Sequence, residues 1–458
     1  MAPVTPQFNA ISDREKGLTR SLSSAQLSMI AIGGAIGTGL FLGSGFAIGF
    51  AGPSVLLSYA IGAFISLLLM GCLAEMTVAH PTSGSFGAWA EFYIHPLAGF
   101  LVRYAYWSAI VLAVGTEVTA IAVYMKFWFP SIPGWCWIIG FSAILIAINA
   151  INVKVFGSVE YVFSALKITA IIVFIALGSW IVATAPAASG IGFINYNAQG
   201  GFFPKGVWGM WVAVIVSIFS YLSIEMIAVA AGEAKDPQHA ITRAFRVTAI
   251  RLVLFYLLTL ALILAIVPWD SGGSGESPFV RVMAATHVPF AAGVINFVIL
   301  VAALSAMNSQ LYITTRMMFS LSRAGDAPVR FGVLNSRGTP VAALLLSSIG
   351  IALATGVNAL FPDNSFTLMM AISMFGGIFT WLMIFVTHLF FRRRHAEAAL
   401  AFRMWGYPYL SLLGAGLLAA LLVSTIFTRE FRMTLVYGVP FLIALSGVWL
   451  YRHRRLTR

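Results

Sequence analysis

The sequence predicts an all-α membrane protein of twelve transmembrane helices, and three observations lead there. Hydrophobic residues make up 60% of the 458 and charged residues only 9%. A soluble domain carries roughly 25% Asp, Glu, Lys and Arg, so a surface this poor in charge could not be solvated. The apolar residues also fall in continuous runs of roughly 20 or more, the length that crosses about 30 Å of hydrocarbon. Strands of a transmembrane barrel would instead alternate over about ten residues. Finally, 42 Gly, 36 Phe and 12 Trp are residue types frequent in membrane helices and at their interfaces. A soluble enzyme is excluded.

The first 24 residues, MAPVTPQFNAISDREKGLTRSLSS, form a polar tail without the apolar centre of a signal peptide. Twelve apolar runs follow, at about 25–48, 53–79, 97–128, 134–152, 158–183, 207–231, 245–268, 290–324, 340–361, 365–391, 407–427 and 433–451. The loops between them are too short to hold a soluble domain. An even number of spans puts both termini on one side. That side collects 21 of the 27 Lys and Arg, whereas the other holds five: Lys126, Lys205, Arg281, Arg429 and Arg432. Basic loops stay in the cytoplasm, so both termini are expected there, in a cytoplasmic membrane. The net charge of +12 is thereby a topology signal, and no nucleic-acid partner is needed to explain it. Cys72 and Cys136 offer neither a disulfide framework nor metal spacing.

A charge within the bilayer costs at least a few kcal/mol and requires a reason. Three such residues stand mid-span: Glu117 in span three, Lys167 in span five and Glu225 in span six. Glu75 and Glu233 fall at span ends, where water or headgroups would reach them. Ion pairs holding helices together are one reading of the three. An ion or proton site in a transporter core is the other.

Span one carries Ile32-Gly33-Gly34-Ala35-Ile36-Gly37-Thr38-Gly39-Leu40-Phe41. Each Gly weakens a helix by up to about 1 kcal/mol relative to Ala. Small residues at this spacing often mean close helix packing. This cluster is denser than packing requires, and unwinding here would expose N–H groups at the start of a half-helix, a site for a carboxylate. Irregular backbone at membrane depth is tolerated only where it lines a cavity. Span six has polar residues near its middle, Phe219-Ser220-Tyr221-Leu222-Ser223-Ile224-Glu225. Two broken spans five apart fit an inverted repeat. The expected organisation is a tail at 1–24, five-helix repeats at 25–183 and 184–391, two further helices at 392–451, and a tail at 452–458.

The chain resembles the amino acid–polyamine–organocation transporters, and within them the bacterial amino acid permeases. The residues that carry the resemblance are AIGGAIGTGLFLGSG in span one, AEMTVAHPTSGSFGAWAEFY after span two and GTEVTAIAVYMKFWFP in span three. KVFGSVEYVFSALKITAIIVFI in span five, IEMIAVAAGEAKDPQHAI through span six and ALSAMNSQLYITTRMMFSLSRAGDAP from span eight complete the set. The resemblance covers nearly the whole chain and implies a LeuT-like fold of two inverted five-helix repeats, with discontinuous helices one and six and with helices eleven and twelve peripheral. It implies that the amides of Gly37, Thr38 and Gly39 hold a substrate carboxylate. The amine would meet carbonyls of Ala35 or Ile36 together with Phe219, Ser220 and Leu222, and Phe219 would gate the pocket. Ser223 stands where relatives often carry Gly. Lys167 falls on the position that, in proton-coupled relatives, fills the volume of a sodium ion.

An ammonium fixed at a cation site removes the electrostatic incentive to bind sodium. Proton coupling through Lys167, Glu117 or Glu225 is thus expected over sodium coupling. Asn308 and Trp381 are candidates to line the pocket. His388, just before Arg392-Arg393-Arg394, is expected at the interface and not on a metal, since no paired His spacing exists. The expected activity is proton-coupled import of a neutral or aromatic L-amino acid by alternating access, without cofactor or metal. A sodium-independent exchanger, or a permease for a basic or γ-amino acid, is the alternative. A channel would need rings of charge or carbonyls from several subunits. A membrane enzyme would show a nucleophile or cofactor signature, and a sensor would need more signalling surface than these tails provide. Besides substrate and protons, only membrane lipids are implied as partners.

Overall fold

The structure, a computed structural model, describes residues 6–14, 17–18, 22–186, 189–233, 253–271, 277–285, 289–361, 364–395, 400 and 402–456. Among them the regular structure is helical. Short α1 (Pro6–Asp13) precedes α2 (Ser24–Ala35), a π-turn at Gly39–Gly43 and α3 (Ser44–Ala51), which together form span one. Next come α4 (Val55–Ala79), the short α5 (Ser85–Tyr93), α6 (Pro96–Lys126), α7 (Gly134–Ile151) and α8 (Val153–Thr184). Span six consists of α9 (Gly206–Tyr221) and α10 (Met226–Ala230). After α11 (Val253–Ile266) and α12 (Pro278–Ala285) the chain runs through α13 (Ala291–Arg323), α14 (Val341–Ser347) and α15 (Ile349–Leu360). It ends with α16 (Ser365–Arg394), α17 (Tyr409–Ser424) and α18 (Arg432–Leu456).

Ten helices among the described residues are long and apolar enough to cross a bilayer. The expected spans one and two meet in a single apolar run, Gly39–Ala79. The expected seventh span is described only from Val253, and its first residues lie outside the described part. The expected ninth span is divided at Ser348, whose amide turns back to Leu344 and Leu345.

Local sequence sets several helix starts. Asn152 caps α8 by accepting the Val155 amide at 2.9 Å, which satisfies one of the four N–H groups that a helix start leaves unpaired. At α6, Pro96 occupies the first turn and His95 accepts the Leu97 amide at 3.2 Å.

Helix α6 is the axis of the molecule and packs against α5, α7, α13, α15 and α16. Hydrophobicity does not draw helices together in lipid, so close backbone approach must do it. Gly376 of α16 meets the Ala105 carbonyl of α6, and a side chain there would collide with it. The outer helices instead turn apolar side chains outward: Ile144 on α7 is 58% exposed, Trp180 on α8 69% and Ile443 on α18 66%. Such a belt would be insoluble in water and suits lipid. The span-six helices are internal from Val212 to Ala230, while Val207 and Trp208 at the start of α9 are exposed.

Two expectations about span ends are corrected. Glu75 is buried and accepts from His388 Nε2 at 3.0 Å and from the Met404 amide at 2.8 Å, with Arg392 3.2 Å away. His388 is therefore internal, bonded on its other nitrogen to Ser411 at 3.1 Å, and does not lie at the interface. Glu233 is buried as well, in a two-point ion pair with Arg316 at 2.8 and 3.3 Å. Desolvated charges of this kind persist only when paired, and hydropathy along the chain gives no sign of the partner.

Candidate functional site

The glycine cluster of span one breaks the helix where the sequence suggests. Helix α2 ends at Ala35 and helical backbone resumes at Thr38. Carbonyls in the last turn of a helix have no partner of their own. Here Lys167 reaches across from α8, and its ammonium donates to the Gly33 carbonyl and, at 3.0 Å, to that of Ile36. A cation at the negative end of a half-helix is favourable. Lys167 is fully buried and acts as the C-terminal cap of α2.

On the other side of the break, the Thr38 amide begins a half-helix and donates at 3.3 Å to Glu117 Oε2. The positive end of a half-helix favours an anion. Span one does receive a carboxylate there, and it comes from α6 of the same chain. Glu117 is buried, with the Thr38 and Gln310 side chains beside it. Nearby on α6, the Tyr124 hydroxyl is buried without a hydrogen-bond partner, as are Ser309 Oγ and Gln310 Oε1 on α13.

Span six unwinds over Leu222–Glu225. Ser223 takes φ +79°, a left-handed conformation that favours Gly. Glu225 secures the turn: it accepts the Ser223 amide at 3.1 Å, the Tyr106 hydroxyl at 2.6 Å and Trp381 Nε1 at 3.0 Å. Three donors can hold a buried carboxylate. Replacing Ser223 by Gly should relieve strain and raise stability by about 0.5–1 kcal/mol. Val at the same position should lower it. Thermal melting checks both signs, and a Gly variant that melts below the parent would contradict the strain.

The two breaks touch. Ser220 Oγ donates to the Gly39 carbonyl at 2.7 Å, Tyr59 bonds the same hydroxyl at 2.9 Å, and Tyr256 donates to the Ser220 carbonyl at 2.7 Å. A side chain added at Gly39 would lie 2.6 Å from the Ser220 Cα.

The structure therefore brings Ile36, Gly37, Thr38, Gly39, Phe219, Ser220, Leu222 and Ser223 to one joint, with Glu117 on one flank and Lys167 on the other. Ala35 ends α2 at the edge of this joint. Phe219 and Leu222 are nearly buried in it, and Leu222 packs on Gly377 of α16. Trp381 supports Glu225. Asn308 lies elsewhere: it donates to Glu160 Oε2 at 3.1 Å and accepts from Asn149 at 2.8 Å.

Glu160 did not stand out in the sequence, because it lies three residues into the expected fifth span, where an acid passes for an interfacial one. Its spacing of seven residues from Lys167 was the available signal, since it places both on one helix face. Tyr59, Tyr106 and Tyr256 carried no signal at all. Among the described residues, no cluster of three or more His, Cys, Asp or Glu is arranged to hold a metal.

Comparison with known proteins agrees with this architecture. Residues 26–458 match the model of a family described as Amino acid permease. The chain is 36% identical over 452 residues to the Gamma-aminobutyric acid permease of Bacillus subtilis (strain 168), covering 98% of this chain and 96% of that protein. It is also 36% identical over 433 residues to the Aromatic amino acid transport protein AroP of Salmonella typhi, covering 94% of each.

Proposed function

The chain belongs to the amino acid permease family, and we propose that it imports a neutral or aromatic L-amino acid together with protons, by alternating access in a cytoplasmic membrane. It is a multi-pass membrane transporter and not an enzyme. The proposed orientation places both termini in the cytoplasm, and the proposed repeats are 25–183 and 184–391 in a LeuT-like fold.

The observation that carries proton coupling is the Glu117 carboxylate on the Thr38 amide. Gly37, Thr38 and Gly39 are the amides proposed for the substrate carboxylate. Two ionised carboxylates crowd one donor unfavourably, and the ordinary relief is for one to bind a proton. Substrate arrival then requires Glu117 to be protonated or displaced. The Ile36 carbonyl, proposed for the substrate amine, already accepts from Lys167. That ammonium satisfies the carbonyls a sodium ion would use, which supports protons over sodium. The apolar side chains of Phe219 and Leu222 at the joint support a neutral or aromatic side chain. A γ-amino acid is the second reading, favoured by the near full-length similarity to a Gamma-aminobutyric acid permease.

If substrate binding takes up one proton, the complex is favoured as pH falls, and affinity should strengthen by up to about tenfold per pH unit. Glu117→Gln should flatten that dependence. Thermal shift across the twenty amino acids and γ-aminobutyrate identifies the ligand, since ligands stabilise what they bind. Titration of that ligand between pH 5.5 and 8.5 reads the linkage. Parent affinity that ignores pH would remove Glu117 from the coupling.

A further inference from the structure

A buried carboxylate lies on the far side of Lys167 from the joint, and none of the roles above uses it. Glu160 sits two turns before Lys167 on α8 and is fully buried. It accepts from Ser305 and, at 3.1 Å, from Asn308, both on α13, and from Ser164 of its own helix at 3.2 Å. Gly33 stands between the two charges. Its carbonyl holds the Lys167 ammonium, and a side chain there would run into Glu160 Oε1 and Ser164 Oγ. Lys167 and Glu160 act on each other electrostatically.

The groups beyond Glu160 form layers. One turn earlier on α8, Phe156 stacks flat on Tyr312, with ring centroids 4.3 Å apart and planes within 3°. Tyr312 lies one turn beyond Asn308 on α13, and its hydroxyl donates to Glu233 at 2.7 Å. Glu233 pairs with Arg316, and its carbonyl accepts the Leu22 amide at 3.2 Å. Polar groups thus run from Lys167 toward the cation-rich face, interrupted by one aromatic stack. The titratable groups around Glu160 are Lys167 on its own helix and Glu117 across the joint. Tyr312 and Arg316 of α13, with Glu233, lie on the other side of the stack. Helix α2 contains no titratable side chain.

We propose that Glu160 receives the proton released by Lys167 and passes it toward the cytoplasmic face, with the Phe156–Tyr312 stack as the barrier between them. This rests on the proton-coupled reading above. Lys167 and Glu160 form no direct hydrogen bond or ion pair, so the step runs through one bridging water. That water gives a proton to a lone pair on a Glu160 carboxylate oxygen and takes one from the Lys167 ammonium. The N–H bonding pair stays on Nζ, leaving a neutral amine and a neutral carboxylic acid. No net charge is created in the membrane, and the acid then loses its proton to water when the stack parts. The neutral amine holds the Gly33 and Ile36 carbonyls less strongly, since charge-assisted hydrogen bonds are about twice as strong as neutral ones. Proton transfer thereby loosens the cap on α2.

The test uses the full chain in phosphatidylethanolamine and phosphatidylglycerol vesicles, with L-phenylalanine as probe. Glu160→Gln should still be stabilised thermally by L-phenylalanine but should lose accumulation driven by an inward proton gradient. Ser305→Ala removes one donor from the carboxylate, and such donors favour its charged form. The internal pH at which accumulation is half-maximal should then rise by about one unit. A Glu160→Gln protein that accumulates L-phenylalanine like the parent overturns the proposal. So does a Ser305→Ala pH profile that does not move, and this second arm decides the matter if the Gln variant fails to fold. A parent protein indifferent to the proton gradient would instead overturn the coupling reading itself.

Discussion

Lys167→Ala will leave a protein that cannot concentrate its substrate on a proton gradient and that unfolds more readily. The two effects have one structural origin. The ammonium caps the Gly33 and Ile36 carbonyls at the broken end of α2 and faces the buried Glu160. Removing one partner of a buried charged network leaves the other desolvated and uncompensated, at a cost of about 3–5 kcal/mol. The carbonyls lose their donor as well. Melting of the purified variant should therefore fall clearly below that of the parent. Lys167→Arg separates the two effects. A guanidinium keeps charge and donors but does not release its proton at any pH a protein survives. The Arg variant should bind substrate and fail to accumulate it. Uptake under an imposed pH gradient and melting, measured on one preparation, read both quantities. A folded Arg variant that still concentrates substrate would show that the lysine is only a cap.

Gly39→Val will abolish the folded protein, and not merely the proposed carboxylate site. From the sequence, a β-branched residue at Gly37 or Gly39 should fill the carboxylate site and leave the fold intact. The joint between spans one and six changes that expectation at Gly39. The added Cβ would lie 2.6 Å from Ser220 Cα and 3.2 Å from its amide nitrogen. Backbone atoms cannot rotate away as a side chain can, so the two broken spans would have to part. The Ser220–Gly39 hydrogen bond at 2.7 Å would be lost with them. Overpacking of this kind costs about 1–3 kcal/mol in an adaptable core and more against fixed backbone. Gly37 differs in part. An added Cβ would lie 3.0 Å from the Glu117 carboxylate, which can swing aside. It would also lie 2.8 Å from the Ala306 methyl, which is fixed to its backbone, so that α13 must yield slightly at some cost in stability. Gly37→Ala should fold, displace Glu117 and lose the pH dependence of binding. Gel filtration in detergent and melting distinguish the pair. A monodisperse Gly39→Val protein with parental stability would show that the joint opens more easily than its packing implies.

The sequence by itself determined what depends on runs of neighbouring residues. Span length follows from hydropathy, because about 20 apolar residues at 1.5 Å each cross the hydrocarbon. The break in span one follows from the Gly33–Gly39 cluster, and the turn in span six from the polar residues around Ser223. Lys167 was legible as a residue that must find partners, because an uncompensated ammonium at that depth is costly. Tertiary structure alone decided the partners. Glu117 meets Thr38 from 79 residues away, Glu225 meets Trp381 from 156, and Glu75 meets His388 from 313. Hydropathy cannot anticipate such pairs, since in lipid most faces of a helix are apolar and do not reveal which way it turns. Glu75, Glu160 and Glu233 look interfacial along the chain for this reason. They are internal because cations and hydroxyls on other helices satisfy them, and burial of a charge is settled by the partner it finds.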